Sequence, residues 1–427
     1  AGGIVGAVRT ALAAGHRRII GFDMGGTSTD VSHFAGDDLA AVERSFETLV
    51  AGVRVRAPML AIHTVAAGGG SILHFDGARL RVGPDSAGAH PGPACYRNGG
   101  PLTVTDCNVL LGRIQPDWFP RVFGPRGDQP LDAAVVREHF ATLAREVAAA
   151  TGETRTPAAL AAGYIAIAVD NMANAIRQIS VARGHDVTAY TLACFGGAAG
   201  QHACLVADRL GMTQIYIHPL AGVLSAYGMG LADITALREQ SVEVEFSDDN
   251  CRRLDDLVVD LAVAARNEVL AQNVPPERIR VLARLHLRYA GTDTALVVPF
   301  VETEKTRAAF EEAYRARYSF LMPERALIVE AVSVEAIGES AAAPAVPPVA
   351  TDVPPLPAPA ARVGVAEDGV LSDTPLYRRA DLSPGQRLRG PVLLAEDTAT
   401  TVVERGWEAV VTPEGGLLLN RVVARAL

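Results

Sequence analysis

The sequence predicts an α/β protein in which glycine-rich turns connect buried strands to one another and to helices. A short apolar segment at 17–23 is followed by a Gly-Gly pair and then by a second apolar segment, a pattern typical of a β-hairpin. Residues 189–211 follow the order buried strand, glycine-rich turn and helix, a unit in which ligands lie at the carboxyl end of the strand. Apolar residues at helical spacing over 131–150 and 157–184 predict two long helices between these units.

The 427 residues are enough for two or three domains that each bury a core of their own. Seven prolines between residues 344 and 359 indicate a linker, because proline-rich segments form extended spacers. Short Val, Leu and Thr runs between glycines and prolines follow this linker and predict a small β-rich module. The expected division is an α/β lobe with inserted loops over 1–247, an α+β subdomain over 248–340, a Pro/Ala-rich linker over 341–362 and the β-rich C-terminal module over 363–427.

Charge and lysine content exclude several classes of function. The net charge of −9 argues against nucleic acid as a partner, because phosphates require a basic binding surface. Among the 39 lysine and arginine residues, Lys305 alone is a lysine, and it lies in a polar segment far from any glycine-rich loop. A P-loop and a pyridoxal Schiff base each need a lysine at the site, so neither fits this sequence.

The five cysteines form no Cys-x-x-Cys pair, and the histidines show no metal-binding spacing. Reduced thiols and a cytoplasmic location are therefore expected. Two stretches without charged residues, 187–207 and 212–232, are long enough to cross a membrane, but glycines and polar residues interrupt both. Buried strand–turn–helix units explain them better, so no membrane association is expected.

The strongest candidate for a functional site is the hairpin segment 23–30, with the sequence Asp-Met-Gly-Gly-Thr-Ser-Thr-Asp. Glycines without Cβ let backbone N–H groups approach phosphate oxygens, and hydroxyl groups add further donors. Carboxylates at both ends can hold the water ligands of a Mg²⁺ ion that bridges phosphates, or orient an attacking nucleophile. The predicted phosphate ligands are Gly25, Gly26, Thr27 and Thr29, and the predicted metal and catalytic residues are Asp23 and Asp30.

A second glycine pair, Gly196 and Gly197, opens the helix of the 189–211 unit. The pair indicates either a close strand-to-helix crossover or a surface for a nucleotide base and ribose at a helix start. Asp106 is either a catalytic carboxylate or the N-cap of a helix. His185 follows a helix end, where a basic residue interacts favourably with the helix dipole.

The order of these motifs resembles the second lobe of actin-like and sugar-kinase-like ATPases. A phosphate hairpin precedes a glycine-rich helix start, and the run over 222–233 then matches a lobe-connecting helix. Several runs also resemble the hydantoinase A/oxoprolinase family, and together they extend over almost the entire chain. They are Thr64–Ser71, Gly83–Tyr96, Thr103–Asp106, Arg183–Asp186, Phe195–Ala203, Arg389–Pro391 and Gly406–Trp407.

Within that family, segments 123–131 and 286–296 look like the oxoprolinase branch. This resemblance implies ATP-dependent hydrolysis of the cyclic amide 5-oxo-L-proline to L-glutamate, with Mg²⁺ and often K⁺ as activating ions. It also implies that Gly196 and Gly197 face the adenosine. The alternatives are an ATP-dependent hydantoinase, the ATPase subunit of a ketone carboxylase, or a nucleotide-binding subunit without chemistry.

The resemblance further implies that other parts complete the enzyme. Relatives have a first lobe with its own phosphate hairpin, and we expect this lobe to precede Ala1 in the parent protein. A hydantoinase B-like domain or subunit is a second expected partner, and the assembly is expected to be oligomeric. We therefore expect the 427-residue chain to be inactive by itself.

Overall fold

The computed structural model describes residues 1–42, 44–50, 53–340, 346–348, 352–367 and 370–425. They form two compact units, of which unit 1 contains Ala1–Gly230 with Ala343–Leu427 and unit 2 contains Leu231–Ala342. This division differs from the sequence-based one in two respects. The second unit begins before the expected boundary at 247, and the C-terminal segment belongs to the first unit.

Among the described residues, the N-terminal part of unit 1 contains one helix, seven successive strands, three successive helices and then two further strands that are each followed by a helix. They are α1 (Gly2–Ala13), β1 (Arg18–Met24), β2 (Thr29–Ala35), β3 (Arg44–Val50), β4 (Val53–Leu60), β5 (His63–Val65), β6 (Ser71–Phe75), β7 (Leu80–Ser86), α2 (Val104–Leu110), α3 (Ala133–Thr151), α4 (Pro157–Ile179), β8 (Thr191–Phe195), α5 (Ala203–Leu210), β9 (Gln214–Ile217) and α6 (Leu224–Gly230).

Unit 2 and the return to unit 1 complete the chain. Unit 2 contains β10 (Ile234–Glu245), α7 (Asp248–Leu270), β11 (Ile279–Tyr289), β12 (Leu296–Pro299), α8 (Thr303–Tyr318) and β13 (Leu327–Gly338). The C-terminal part of unit 1 contains β14 (Ala361–Glu367), β15 (Val370–Arg378), β16 (Arg387–Arg389), β17 (Val392–Ala395), β18 (Thr400–Val403), β19 (Trp407–Val411) and β20 (Leu417–Arg421).

The main sheet of unit 1 has eight strands in the order β16-β19-β20-β9-β8-β1-β2-β5. Its central strands β1, β8 and β9 are parallel, and β2 and β5 continue the sheet in antiparallel fashion. The carboxyl ends of β1, β8 and β9 therefore lie at one edge of the sheet, where the loops that follow them can form a common site. The expected strand–turn–helix units at 187–207 and 212–232 lie here.

The C-terminal segment is part of this lobe because its strands extend the main sheet. Strand β20 pairs with β9, which would otherwise be an unpaired edge, and β19 and β16 continue outward. Trp407 of β19 is fully buried, and its indole N–H donates to Asp208 of α5 at 3.2 Å. The other C-terminal strands form a four-stranded sheet in the order β14-β15-β17-β18. The β-rich character was predicted, whereas pairing between distant segments was not.

Helix α4 packs against strands β2 and β5 of the main sheet, α3 packs against α4, and both helices begin directly after N-cap residues. Asp132 accepts hydrogen bonds from the first backbone N–H groups of α3, and Thr156 accepts one from α4. The region Pro157–Arg183 is long and apolar enough to cross a membrane by length and composition, but 56% of its apolar 18-residue window is buried inside the protein. Fully buried Tyr164 and Met172 belong to the core of unit 1, which explains its apolar composition.

Unit 2 is a four-stranded antiparallel sheet, in the order β10-β13-β11-β12, with helices α7 and α8. Strand β10 pairs with β13 along most of its length, and this pairing explains why the unit begins before residue 247. Phe310 of α8 is fully buried in the apolar core. Lys305 lies on the exposed side of the same helix and forms an ion pair with Glu302 at 2.9 Å.

Candidate functional site

The segment 18–35 is the antiparallel hairpin that the sequence predicted. Strands β1 and β2 pair in a register that places Asp23 opposite Asp30, and the Gly25 N–H closes the turn on the Ser28 carbonyl at 3.1 Å. Gly26 lies exposed at the tip of this turn. Its backbone is therefore open to an approaching ligand.

The two carboxylates of the hairpin face the same cavity. Residues directly opposite in an antiparallel pair project from the same side of the sheet, and both aspartates line a cavity of about 160 Å³. Asp23 accepts a hydrogen bond from Ser225 of α6 at 3.3 Å, and Asp30 accepts one from Thr64 of β5 at 2.7 Å. The cavity also contacts the start of α1, so the aspartates lie where three elements meet.

The electrostatics of this pair favour a cation between the carboxylates. Burial, reinforced by the negative charge of Asp30, raises the pKa of Asp23 from 3.8 to about 6. A divalent ion would relieve this repulsion, and Mg²⁺ commonly uses one or two carboxylates together with water and phosphate oxygens. Among the described residues, no group of three His, Cys, Asp or Glu side chains could hold a metal ion. The pair therefore fits a hydrated Mg²⁺ that shares its coordination with phosphate.

The two threonines of the hairpin have different environments. Thr27 lies exposed in the turn, where its hydroxyl can reach a ligand. Thr29 is fully buried, and its hydroxyl donates to the Ala67 carbonyl at 2.5 Å. The expectation that Thr29 donates to phosphate is corrected accordingly, since its proton already holds the neighbouring loop.

A triple-glycine loop, Gly68–Gly70, supports the turn from behind. The N–H groups of Gly69 and Gly70 donate to the carbonyls of Gly25 and Gly26 at 3.1 and 2.5 Å. A Cβ on Gly68 would lie 2.6 Å from the Ser28 nitrogen, so only glycine allows this backbone contact. In the sequence analysis these glycines appear only within the run Thr64–Ser71, and the structure shows that they position the hairpin.

The second glycine pair follows β8, the parallel neighbour of β1, and opens at the same edge of the sheet as the hairpin turn. Gly196 has a φ of +89°, and a Cβ there would lie 2.4 Å from the Met24 carbonyl oxygen and 2.6 Å from the Asp23 carboxylate. A Cβ on Gly197 would lie 3.2 Å from the Thr398 carbonyl oxygen. Contacts within the chain thus explain both glycines without a nucleotide.

The sequence left Asp106 as either a catalytic carboxylate or an N-cap, and in the structure Thr103 is the N-cap of α2 while Asp106 is the third residue of the helix. This fully buried carboxylate forms a capping box with Thr103 at the start of α2 and accepts hydrogen bonds from the N–H groups of Ala94 and Cys95. It therefore holds the segment between β7 and α2, residues 87–103, against the start of α2. His185 stacks against His33 with ring centroids 4.0 Å apart, away from the carboxylate cavity.

A buried polar network that the sequence did not indicate anchors the second glycine loop. Arg113 forms an ion pair with Glu404 at 2.7 Å, and its guanidinium also donates to Asn108 and to the Gln201 carbonyl. His202 contacts Asn108 at 3.2 Å, and burial together with Arg113 lowers the pKa of this histidine to about 3. His202 is thus a neutral structural residue, and the C-terminal segment supports the loop through Glu404.

Comparison with known protein families identifies both halves of the chain. Residues 1–238 match the hydantoinase/oxoprolinase family model, and residues 242–415 match the hydantoinase/oxoprolinase C-terminal domain. The 5-oxoprolinase 1 of Arabidopsis thaliana is 38% identical over 98% of this chain and 34% of its own length. The chain thus spans about a third of the length of the 5-oxoprolinases it matches.

Two solved structures share the fold. An ATP-dependent caprolactamase from Pseudomonas jessenii superposes with a TM-score of 0.79 at 26% identity, covering 98% of this chain and 61% of its own. An acetone carboxylase superposes with a TM-score of 0.76 over 99% of this chain and 61% of its own, and its 22% identity shows the fold alone. The predicted fold class, an actin-like α/β ATPase lobe followed by C-terminal modules, is confirmed by these likenesses.

Proposed function

Because the chain belongs to the hydantoinase/oxoprolinase family, we propose that it is the nucleotide-binding part of an enzyme that hydrolyses 5-oxo-L-proline to L-glutamate at the expense of ATP. The observation that supports this most is the Asp23–Asp30 pair beside an exposed Gly-Gly turn at the carboxyl edge of the parallel strands. The identity to 5-oxoprolinases supports the choice of substrate.

The use of ATP follows from the chemistry of the substrate. A five-membered lactam is a poor electrophile, and transfer of the γ-phosphoryl group to its amide oxygen makes the carbonyl carbon reactive. One water then adds, the ring C–N bond breaks, and a second water releases phosphate from the resulting acyl phosphate. The balance is one ATP and two waters consumed for each glutamate, ADP and phosphate formed.

The residues of this chain would bind and orient the phosphates in that reaction. Asp23 and Asp30 would hold Mg²⁺, and the charge of the ion would lower the pKa of Asp23 again. The backbone N–H of Gly26 and the hydroxyl of Thr27 would donate to phosphate oxygens at the exposed turn. The family resemblance also implies an activating K⁺ ion.

Direct binding of a paramagnetic metal tests the role of the carboxylates. Mn²⁺ replaces Mg²⁺ in many such sites, so its binding in the presence of ADP can be followed by electron paramagnetic resonance. We expect Asp23→Asn and Asp30→Asn each to weaken Mn²⁺ binding at least about tenfold, as for loss of one charge-assisted contact. Asp76→Asn is the matched control, since Asp76 is an exposed hairpin carboxylate of the same unit. Equal Mn²⁺ affinity in all four proteins would contradict the assignment.

A second candidate substrate is a larger lactam. The caprolactamase alpha subunit of Pseudomonas jessenii is 30% identical over 92% of this chain and 57% of its own length. ATP-dependent product release by the intact parent enzyme from 5-oxoproline, caprolactam, hydantoin and acetophenone separates the family's possible activities. We expect turnover with 5-oxoproline, and a preference for another of the four compounds would replace the proposed substrate.

We further propose that a first lobe and a hydantoinase B-like partner complete the site in a cytoplasmic, oligomeric enzyme. The carboxylate cavity is bordered by Met229, which is 67% exposed although it is a large apolar side chain. One hairpin also supplies only part of the donors that a triphosphate needs. The prediction that the chain alone has negligible ATPase activity is checked by phosphate release with and without the partner parts.

A further inference from the structure

The end of β7 and the residues directly after it, here called the 86–90 loop, lie beside the candidate phosphate turn. The Gly70 N–H donates to the Gly26 carbonyl at 2.5 Å, and the Gly70 carbonyl accepts from the Ala87 N–H at 2.9 Å. A Cβ on Gly70 would lie 2.9 Å from the Gly26 carbonyl oxygen and 3.3 Å from the Ser86 Oγ. Glycine at this position therefore brings the turn and the loop side by side, so that a ligand at the turn is within reach of the loop.

The 86–90 loop presents hydrogen-bond donors that have no acceptor within the described part of the chain. Ala89 and His90 are exposed, and neither their backbone N–H groups nor the His90 ring donates to another described residue. The Ser86 hydroxyl accepts from the Gly88 N–H at 3.2 Å, which leaves its own proton available. A Cβ on Gly88 would have no neighbour within 4 Å, so the tip of the loop is open to a ligand.

Contacts on its C-terminal side hold this loop in one conformation. The Gly92 N–H donates to the Ala87 carbonyl at 3.1 Å. Further along, the buried carboxylate of Asp106 accepts hydrogen bonds from the N–H groups of Ala94 and Cys95 at 3.1 and 2.8 Å. A buried carboxylate without such donors is costly, so these bonds stabilise the observed path of the segment. Donors that are already fixed in place lose little conformational entropy when a ligand binds to them.

The donors of the loop suit an anionic group. The adjacent carboxylate, Asp85, does not oppose this, because the alternation of β7 directs it to the other face of the strand, where it lies 3.4 Å from His74. Successive N–H groups in a turn bind carboxylate and phosphate oxygens. The Gly-Gly turn already offers Gly26 and Thr27 to phosphate, so the 86–90 loop is available to a second anionic group. The substrate of the proposed reaction, 5-oxo-L-proline, carries a carboxylate.

We propose that the 86–90 loop binds the carboxylate of the lactam substrate, through the Ser86 hydroxyl, the backbone N–H groups of Ala89 and His90, and the His90 ring. The inference depends on the proposed ATP-dependent function and refines it, because it restricts the substrate to cyclic amides that carry a carboxylate next to the ring nitrogen. The carboxylate and the amide oxygen are attached to the two carbons that flank this nitrogen. Anchoring the carboxylate therefore directs the amide oxygen toward the phosphate at the neighbouring turn.

Steady-state kinetics of the intact parent enzyme test the proposal with two lactams, 5-oxo-L-proline and 2-pyrrolidinone, which is the same ring without the carboxylate. We expect Ser86→Ala and His90→Ala each to raise the KM for 5-oxoproline about tenfold, as for loss of one charge-assisted contact. The kcat, the KM for ATP and the kcat/KM for 2-pyrrolidinone should stay unchanged. His139→Ala, at an exposed position of α3, is the matched control and should change none of these values.

Two further measurements separate recognition of the carboxylate from a purely structural role of the loop. Ser86→Thr retains the hydroxyl and should keep the KM for 5-oxoproline within about threefold of the wild type. Calorimetry without nucleotide should show that 5-oxoproline binds about tenfold more weakly to Ser86→Ala and His90→Ala than to the wild type. Thermal unfolding confirms that each variant is folded.

The possible outcomes are distinguishable. A rise in KM that is confined to 5-oxoproline supports the proposal. An unchanged KM for 5-oxoproline in both variants, or an equal loss of kcat/KM with both lactams, overturns this inference while the proposed function stands. A rise in the KM for ATP alone would assign the loop to phosphate and overturns it as well. Absence of ATP-dependent hydrolysis of 5-oxoproline by the wild type overturns the proposed function, and this inference with it.

Discussion

Replacing Asp23 with asparagine should stabilise unit 1 at neutral pH, although it removes a residue of the candidate site. Burial and the charge of Asp30 raise the pKa of Asp23 from 3.8 to about 6 in the folded protein. Between these values the folded state holds a proton that the unfolded state has lost, so stability falls as pH rises through this window. Above about pH 6 the full cost of the buried charge is present.

The gain in stability expected for Asp23→Asn can be calculated from the rise in the pKa of Asp23. About two pKa units correspond to about 3 kcal/mol, at about 1.36 kcal/mol per unit. Asp23 is only half-buried, so solvent screening reduces the cost to about 1–2 kcal/mol. Asparagine is uncharged at every pH and avoids this cost. For a unit of this size, we expect a rise in Tm of about 2–6 °C at pH 7 to 8 and little change near pH 4.

Thermal unfolding of the wild type and Asp23→Asn between pH 4 and 8, without divalent ions, measures this difference. Asp76→Asn is the matched control, and it should lower the Tm at neutral pH where Asp23→Asn raises it. Hydrogen bonds from the N–H groups of Arg79 and Ala78 lower the pKa of Asp76, so its carboxylate stabilises the fold once ionised. Added Mg²⁺ should stabilise the wild type more than Asp23→Asn. A Tm difference for Asp23→Asn that is the same at pH 4 and pH 8 would refute the reasoning.

Three other expectations follow from the contacts of the site. Gly196→Ala should lower the free energy of unfolding, measured with denaturant, by roughly 2–4 kcal/mol, because a Cβ would collide with the Met24 carbonyl at a position with positive φ. Gly15→Ala is the matched control, since Gly15 has a φ of +88° and no neighbour within 4 Å, and it should lower this free energy by about 1 kcal/mol. Arg113→Met should lower the free energy of unfolding by about 3–5 kcal/mol, because it removes the ion pair with the buried Glu404. Adding Glu404→Gln to this variant should restore part of the lost stability. Thr29→Val should cost about 1–3 kcal/mol by depriving the Ala67 carbonyl of its donor, while a serine should retain most of the stability.

The parts of the fold that depend on local pattern were predictable from the sequence. The 18–35 hairpin, the caps of α3 and α4 and the strand–turn–helix after β8 each follow from a few neighbouring residues. The pairing of β20 with β9 joins segments about two hundred residues apart, and no local signal specifies such a partner. For this reason the C-terminal segment was expected to be a separate module.

The same distinction applies to the candidate site. The Asp23–Asp30 pair could be inferred because hairpin register follows from the turn between them. Thr29 was assigned incorrectly because its alternation in β2 does not reveal that the Ala67 carbonyl lies within reach. The environment of Gly197 could not be foreseen either, since Thr398 reaches it from the other end of the chain.

The ratio of products in the intact parent enzyme tests the central claim, that the Asp23–Asp30 pair serves ATP-dependent opening of a lactam. ADP and glutamate released from 5-oxoproline are measured for the wild type, Asp23→Asn and the Asp76→Asn control. We expect equal amounts of both products from the wild type and the control, and a loss of both by at least about a hundredfold in Asp23→Asn, as for a phosphate-binding metal site that loses a ligand. Glutamate release without ATP, or full activity of Asp23→Asn, would contradict the account.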